Sequence, residues 1–471
     1  MSALPERSQR AAALALAALL LAAFPAEARE LWRRGEAALE LSGSVREVFV
    51  VTQGTDLGRF AERAEAAQPP TRCLQAATWA DCPAFDLAGR RDVWQSLTRV
   101  RTRLDGRANA QLSGTLAWDH ELLAGILDTF EGDLGRSFAS EPLFDLGGDV
   151  DLFGLREEGR RMRWRHVLYR GFLRFETERI DVVLGRQRIP WGVGRLWNPI
   201  DRFNAIPPLA IEGDQSPGID ALDVKIRASG FSYLEIAWAP ADGSNDRTAL
   251  RWHGVLFDAD YSLVAGRFEE AWTFGADVAR NLGGAAARLE LVYADPSRKH
   301  WPLGRAGPVE ADAYFQVVAS IDYNFDLGSG LYVLVEHFYN GNATGFGRGN
   351  AGGLEAFFES TAERPAEVPP LVPGPWVAAG SGDRFGGNRV ISAARNQTGF
   401  QAGYDVNAVV RADLLVLYDW NGGSAAFFPS VTANPTDDLE LTLGAQLFAG
   451  SKRSQFGEAE RLWFLRAEWF Y

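Results

Sequence analysis

Apolar and polar residues alternate with a period of two along much of this chain. Between 315 and 325, one set of alternate positions is apolar or aromatic and the other is mostly polar. Successive side chains of a β-strand point to opposite faces, so such a run predicts a strand between two different environments. We predict eighteen strands, at 39–52, 94–105, 108–120, 163–176, 179–188, 219–228, 231–239, 248–257, 260–267, 271–280, 285–294, 312–325, 330–340, 395–405, 409–420, 425–433, 438–449 and 461–471.

The gaps between these segments alternate in length. After every second strand the gap is a few residues, often with Gly, Asn or Asp, which suit tight hairpin turns. The other gaps are often long, at 53–93, 121–162, 189–218, 295–311, 341–394 and 450–460. This parity predicts an all-β transmembrane antiparallel β-barrel with short periplasmic turns, long extracellular loops and both termini in the periplasm. Sixteen strands is the alternative, because three gaps on the loop side are short, at 240–247, 268–270 and 421–424.

The last strand, 461–471, has the clearest pattern. One face carries only apolar or aromatic residues and the other carries the charges, and the chain stops on an aromatic residue. We interpret it as the strand that closes the barrel, with its apolar face in hydrocarbon. The alternative is a buried edge strand of a soluble all-β protein. The proposed lipid-facing residues are Trp463, Leu465, Trp469 and Tyr471.

The other end of the chain has the features of an export signal. Arg7 and Arg10 precede an apolar run from Ala11 to Phe24, and small residues follow at Ala26 and Ala28. This arrangement predicts a signal peptide at 1–28, so that 29–471 forms the barrel. An amino-terminal membrane anchor is the alternative.

Several segments resemble known families. The aromatic carboxyl terminus is similar to that of Gram-negative outer-membrane β-barrels. Gly185-Arg186-Gln187 followed by Trp191-Gly192, together with 335–341 and 439–448, resembles large porins and the alginate-export-like porin family. The resemblance implies an outer-membrane barrel inserted by the barrel-assembly machinery. For the alginate-export type it further implies a lumen rich in arginine that passes an anionic polymer.

Arginines recur on single faces of the predicted strands. Three lie at alternate positions of the second strand, two on the fourth and two on the fifth. Adjacent guanidinium groups repel one another and need water, carboxylates or an anionic ligand nearby. One interpretation is an arginine ladder that guides anions through a pore. The other is a set of salt bridges to loop acids such as Glu212 and Asp214. The candidate pore-lining residues are Arg99, Arg101, Arg103, Arg170, Arg174, Arg186 and Arg188.

The segment 189–218 is rich in Trp, Pro and Gly and follows the fifth predicted strand. In general porins the loop at this place folds inward, and by that resemblance 189–218 is our candidate constriction loop. An external flap packed on the rim is the alternative. We expect the Gly-, Pro- and Ala-rich segment 341–394 to be a long mobile outer loop. The candidate lining residues of the constriction are Arg195, Asp201, Arg202, Glu212 and Asp214.

Composition narrows the function. The net charge of −13 argues against nucleic-acid binding and suits a surface beside lipopolysaccharide. Cys73 and Cys82 are close together in an exported chain, which predicts one loop disulfide. No histidine lies near them, and none of the five histidines belongs to a recognisable catalytic motif. We therefore expect no metal, no cofactor and no enzyme activity.

The sequence thus favours an outer-membrane channel for passive diffusion of small, anionic solutes or acidic sugars. An export component for an anionic polysaccharide is one alternative. A non-conducting adhesion or scaffold barrel is another. The expected partners are outer-membrane lipid, lipopolysaccharide and the transported solute.

Overall fold

The structure is a computed structural model of the chain. It describes residues 29–56, 90–125, 148–153, 161–204, 211, 218–240, 246–268, 271–296, 313–341, 343, 394–451, 454–457 and 461–471.

The described residues form a single antiparallel sheet of twenty strands. They are β1 (Arg29–Arg34), β2 (Ala37–Asp56), β3 (Arg90–Arg107), β4 (Leu112–Gly125), β5 (Gly148–Phe153), β6 (Arg161–Glu176), β7 (Ile180–Gln187), β8 (Ile219–Arg227), β9 (Tyr233–Ala239), β10 (Arg247–Leu256), β11 (Ala259–Phe268), β12 (Ala271–Leu282), β13 (Ala285–Pro296), β14 (Tyr314–Phe325), β15 (Leu331–Asn340), β16 (Asn396–Asn407), β17 (Val410–Asp419), β18 (Ser424–Thr436), β19 (Leu439–Ala449) and β20 (Arg461–Phe470).

Eighteen of these strands form a closed ring. Each pairs with its neighbours in chain order, β4 pairs directly with β6, and β20 pairs with β2 to close the barrel. Closure removes every free sheet edge from the ring, which is the condition for a sheet to cross a bilayer. The prediction of an all-β antiparallel barrel with eighteen strands is confirmed, and the alternative of sixteen strands is wrong.

The seam of the barrel is closed by the carboxyl terminus. Gly43 and Tyr471 exchange two backbone hydrogen bonds, of 2.8 and 2.9 Å, and the Tyr471 hydroxyl donates to the carbonyl oxygen of Arg101 at 3.0 Å. The Tyr471 ring occupies the space where a side chain at position 43 would begin, so only glycine fits there. The aromatic last residue therefore locks three strands together.

Two strands lie outside the ring and were not predicted. β1 pairs with residues 37–41 of β2, just beyond the point where β20 ends. β5 pairs with residues 162–166 of β6, beyond the point where β7 stops pairing at Gly171. Each extra strand occupies a length of strand edge that its ring neighbour leaves open. Whether such an edge is left open depends on the lengths of neighbouring strands in the assembled barrel. The alternation of residues along a single strand does not show it.

Strand alternation separates an apolar outer face from an inner face. Large apolar side chains are exposed on one side of the sheet, for example Phe274 at 51%, Phe315 at 60% and Trp463 at 45%. Charged residues such as Glu290 and Glu336 alternate with them and are fully buried on the other side. We call these sides outer and inner. Among the described residues, no helix has the length and apolar character needed to span a bilayer.

Candidate functional site

The chain turns into the barrel after β7. Residues 189–204, which we call the inner loop, pack on the inner faces of strands from β8 to β17. Trp191 and Phe203 lie near β7, β8 and β11, with their ring centroids 5.1 Å apart. Trp197 stacks on Phe338 of β15, with the ring centroids 5.6 Å apart. The inner loop therefore follows half of the barrel circumference from within.

The wall beneath the inner loop is built of small side chains. Ala221, Ala237 and Ala249 are buried against the cluster that contains Trp191 and Phe203. On β12 and β16 the inward positions are glycines, Gly275 beneath Ile200 and Gly399 beneath Leu196. Small wall residues opposite large loop residues give interdigitated packing at normal density. This pattern of inward Ala and Gly indicates a wall on which a segment packs, and our sequence analysis did not use it.

Two wall carboxylates hold the backbone of the inner loop. Glu336 accepts hydrogen bonds from the amides of Arg195, Leu196 and Trp197, at 2.7–2.9 Å. Glu290 accepts from the amides of Val193 and Gly194, the latter at 2.5 Å, and from that of Ile200 at 3.4 Å.

Both carboxylates are fully buried, at 0% exposure. Five consecutive amides, from 193 to 197, therefore donate to two inward carboxylates. Charge-assisted hydrogen bonds of this kind are stronger than neutral ones. The sequence showed these two residues only as inward acids on β13 and β15.

The second half of the inner loop is organised by Asp201. Its Oδ1 accepts from the amides of Phe203 at 3.2 Å and Asn204 at 2.7 Å, and Asn204 in turn accepts from the amide of Ile189. Burial raises the pKa of Asp201 to about 7, against the opposing effect of those hydrogen bonds and of Arg188 and Arg247. Asp201 is therefore a structural residue of the loop rather than an exposed lining group.

Arg202 is also buried. Its guanidinium lies within hydrogen-bonding distance of the Tyr314 hydroxyl at 3.4 Å and of the Gln316 side-chain oxygen at 3.3 Å. Of the predicted constriction residues that the structure describes, only Arg195 has an exposed side chain. The charge of Arg202 is turned toward the wall.

A second segment also enters the barrel, and we did not predict it. Phe456, in the connection between β19 and β20, is buried beside Trp197 and Phe338. Asp419 of β17 is fully buried and accepts hydrogen bonds from the amide of Gly422 and the hydroxyl of Ser424, at 3.0 and 3.1 Å. The amide of Gln455 lies 3.4 Å from the same carboxylate. Asp419 thus holds this second segment against the far end of the inner loop.

The arginines of β3 face inward, and each has an acidic partner. Arg99 donates to Glu121 at 2.7 Å, and Arg101 makes two hydrogen bonds of 2.7 Å to Asp119. Arg103 contacts Asp105 at 2.5 and 2.9 Å. These partners lie on β3 itself or on neighbouring β4 rather than on a loop. The register pairs Arg99 with Glu121 and Arg101 with Asp119 directly across the sheet.

The arginines of β6 and β7 are also engaged. Arg170 lies over the Tyr169 ring with its Cζ 4.0 Å from the centroid, and Arg101 lies over the same ring at 3.4 Å. Arg174 binds Asp181 at 2.8 and 2.9 Å. Arg186 is buried and binds Asp220 through two hydrogen bonds of 2.9 Å. Of the proposed ladder, Arg174 and Arg186 are therefore neutralised by carboxylates, like the three arginines of β3, whereas Arg170 packs on an aromatic ring.

Two arginines differ from the rest. The side chains of Arg188, just after β7, and Arg195, in the inner loop, are exposed. Within the part of the chain that the structure describes, neither makes a salt bridge. Arg188 is close enough to Asp201 and Arg170 to affect them electrostatically, and Arg195 similarly affects Tyr332 on the inner face of β15. Both side chains are therefore exposed charges of the site that have no ion-pair partner among the described residues.

Some predicted features lie outside the described residues. They are the signal peptide at 1–28, the disulfide between Cys73 and Cys82, Glu212 and Asp214, and all but the two ends of 341–394. Where the chain is described, no group of three or more potential ligands is placed to bind a metal ion.

No protein-family model matches this chain, and no curated protein matches it. Solved structures do match over nearly their whole length. Acinetobacter baumannii OccAB1 has a TM-score of 0.51 at 8% identity, over 95% of this chain and 98% of that chain. Pseudomonas aeruginosa OccK1 (OpdK) has a TM-score of 0.46 at 11% identity, over 93% and 98%. The outer membrane protein OprD from Pseudomonas aeruginosa has 0.43 at 10% identity, over 95% of each. At this identity the likeness to OccAB1 shows the fold alone. The resemblance to alginate-export porins stays a prediction.

Proposed function

We propose that this chain is an outer-membrane channel for passive diffusion of small solutes, with a preference for anions. The observation that carries the proposal is the inner loop, which is fixed to the wall by Glu290 and Glu336. It leaves Arg188 and Arg195 exposed and without a salt bridge to any residue that the structure describes. A loop held rigidly inside a wide barrel narrows the path. Unpaired cations on such a path favour negatively charged solutes.

The barrel itself supports placement in a membrane. With eighteen strands the interior is too wide for side chains to fill, so that space remains for a water-filled path. The outer face carries exposed aromatic and aliphatic side chains such as Trp272, Phe274 and Leu443. An apolar outer belt around a polar interior is the arrangement of outer-membrane barrels.

The charge balance supports the preference for anions. The arginines of β3 add little net potential, because each has a carboxylate within hydrogen-bonding distance. The two acids beneath the inner loop, Glu290 and Glu336, are buried by it. In water, one unpaired charge about 5 Å from a permeating ion changes its energy by roughly 0.8 kcal/mol, or about fourfold in occupancy. Arg188 and Arg195 are therefore sufficient to set a measurable selectivity.

The test is the reversal potential of single channels in planar bilayers under a salt gradient. We expect the wild-type protein to conduct and to prefer chloride over potassium. The double variant Arg188→Ala/Arg195→Ala should shift the preference toward the cation, several-fold in the permeability ratio. The matched control is Arg267→Ala/Arg280→Ala, which removes two exposed arginines from the outer face.

The possible results of this experiment distinguish the channel from its selectivity. A wild-type protein that inserts but carries no current would refute the channel and favour the scaffold alternative. Equal selectivity in the wild type and the Arg188/Arg195 variant would refute the preference for anions while leaving the channel intact. A shift of the same size in the control would mean that the effect comes from total charge rather than from the lumen.

A further inference from the structure

The short turns at one end of the barrel carry exposed apolar residues along one side of the rim. In the predicted orientation these turns face the periplasm. Five of them follow one another round the ring, at β8–β9, β10–β11, β12–β13, β14–β15 and β16–β17. Each has, in the turn or beside it, a large apolar side chain that is more than half exposed. We call this set the apolar rim, and its members are Phe231, Phe257, Leu282, Leu327 and Val406.

The other short turns of the ring are polar. The β3–β4, β6–β7 and β18–β19 turns span 108–111, 177–179 and 437–438, and they contain no large apolar residue. Polar residues and Gly are the usual residues of such turns. All of these turns join neighbouring strands in the same way, so hairpin formation does not require an apolar tip. The apolar rim is therefore a property of one side of the barrel end.

Phe257 is the clearest member of the apolar rim. It forms a two-residue turn with Asp258, and both residues have positive φ, 52° and 58°. Such a turn favours Asn and Gly, and a bulky residue at positive φ is uncommon. The Phe257 side chain is 80% exposed, so packing within the chain does not account for it. An unfavourable backbone conformation therefore displays an aromatic ring to the surroundings.

This ring lies outside the lipid-facing belt. On β10 and β11 the belt ends near Trp252 and Tyr261, where the Trp252 indole N–H donates to the Tyr261 hydroxyl at 3.1 Å. Aromatic residues of this kind mark the boundary of the apolar belt. Tyr261 pairs with Gly254, and Phe257 follows three residues later, roughly 10 Å farther along the strand. Phe257 is therefore beyond the boundary, on the side of the aqueous compartment.

Carboxylates accompany the apolar side chains. Asp258 follows Phe257 and Asp326 precedes Leu327, and both acids are exposed. Neither makes a salt bridge to a residue that the structure describes. The five turns, at 228–232, 257–258, 283–284, 326–330 and 408–409, contain no lysine or arginine. The turns of the apolar rim therefore combine apolar side chains with negative charge.

We propose that the apolar rim binds a periplasmic protein through a surface that presents apolar side chains together with Lys or Arg. Apolar residues grouped on an aqueous surface mark interaction sites. The inner leaflet of the membrane is the other surface within reach, but its phosphates are negative and disfavour Asp258 and Asp326. A basic and apolar protein surface complements both features. The proposal adds a partner to the channel and does not depend on which solute the channel passes.

The length of the apolar rim suits a folded partner. Neighbouring tips are two strands apart and strands are spaced about 4.8 Å, so the five tips span an arc of roughly 38 Å. A small domain is about 30 Å across. One domain can therefore contact several tips at once, and an extended peptide is not required.

The experiment is photocross-linking in living cells of the producing organism. The benzophenone amino acid p-benzoylphenylalanine replaces Phe231, which is not at positive φ. We expect a discrete protein adduct, and mass spectrometry should place the cross-link in a segment that contains both apolar and basic residues. The matched control carries the same amino acid in place of Gln111, an exposed residue of the polar β3–β4 turn, and should give no protein adduct.

The charge of the rim is tested in the same cells by adding Asp258→Asn/Asp326→Asn to the cross-linking chain. Asn suits the positive φ at position 258, so the barrel should form normally on heat-modifiability gels. The adduct yield should fall at least about threefold, because charges at the edge of an interface speed encounter. The control Glu178→Gln/Asp437→Asn neutralises two exposed acids of the polar turns and should leave the yield unchanged.

Several results would overturn the proposal. They are no adduct at Phe231, a phospholipid adduct there, which would assign the apolar rim to the inner leaflet, or an adduct with a second copy of this chain. An equal protein yield from position 111 would mean that the contact is not specific to the rim. An unchanged yield in Asp258→Asn/Asp326→Asn would refute a basic partner surface.

Discussion

The position of the inner loop depends on a single buried carboxylate more than on any other side chain. Glu336 Oε1 accepts from the amides of Leu196 at 2.9 Å and Trp197 at 2.7 Å, and Oε2 accepts from that of Arg195 at 2.8 Å. Glu336→Gln replaces one oxygen by an NH2 group of nearly equal size. The substitution therefore removes charge and one acceptor while leaving the packing in place.

The magnitude follows from the lost hydrogen bonds. The glutamine oxygen can keep the two donors of Leu196 and Trp197, but as neutral bonds, and its NH2 group then faces the amide of Arg195. Loss of one charge-assisted bond is worth about 1.5–3 kcal/mol, and an unsatisfied buried donor costs about 1–3 kcal/mol more. The sum of about 2.5–6 kcal/mol raises the equilibrium constant for local opening by roughly 100-fold or more.

Hydrogen exchange of the inner-loop amides measures this constant. In Glu336→Gln we expect the amides of Arg195, Leu196 and Trp197 to exchange at least about 100-fold faster than in the wild type, with noisier single-channel current. The control is Glu440→Gln on β19, which removes an inward carboxylate that is bound to Arg466 at 2.6 Å and not to the inner loop. Unchanged exchange at 195–197 in Glu336→Gln would show that packing of Trp197 and Ile200 alone holds the loop.

Two further predictions concern single residues. Because the pKa of Asp201 is raised to about 7, the folded loop binds a proton that the unfolded chain releases near pH 4, and its stability falls as the pH rises from about 4 to about 7. Asp201→Asn keeps the Oδ1 acceptor for Phe203 and Asn204 and cannot ionise, so it should slow exchange of those two amides strongly at pH 8 and much less at pH 5. Faster exchange at pH 8 would mean that Arg188 and Arg247 need the charge. At the seam, Gly43→Val places a side chain against the Tyr471 ring and the carbonyl of Arg101, and overpacking typically costs about 1–3 kcal/mol. The barrel should therefore unfold at a lower temperature on heat-modifiability gels than that of Gly230→Val, a turn variant with open space around it and no positive φ. Equal midpoints would refute this account of the seam.

For the arginines, the sequence predicted the direction of the side chains but not their partners. Their inward direction followed from alternation, since Arg99, Arg101 and Arg103 share one face of β3. Their partners did not follow, because Asp119 and Glu121 reach them only through the register of β3 with β4. One of our two interpretations took the acidic partners from the 189–218 loop. A register depends on turn geometry and strand lengths, and a pairing one residue away would have put the acids on the other face.

The inner loop could likewise be predicted only in part from the sequence. Its Trp, Pro and Gly content marked it as compact, and its inward path was one of two interpretations. The carboxylates that anchor it come from β13 and β15, 96 and 139 residues after the amides of Gly194 and Trp197 that they bind. Nothing local to Glu290 or Glu336 distinguishes them from other inward acids. The inward alanines of β8 to β10 are a usable signal, but only once the loop is known to need the space.

By itself, the sequence predicted eighteen ring strands, with sixteen as the alternative, together with their approximate positions and the apolar face of each strand, because a period of two is a local property of each strand. Tertiary structure decided which charges are neutralised, which wall residues hold the inner loop, and where β1 and β5 attach. Those features depend on contacts between residues far apart in the chain, and their energies exist only once the ring has closed.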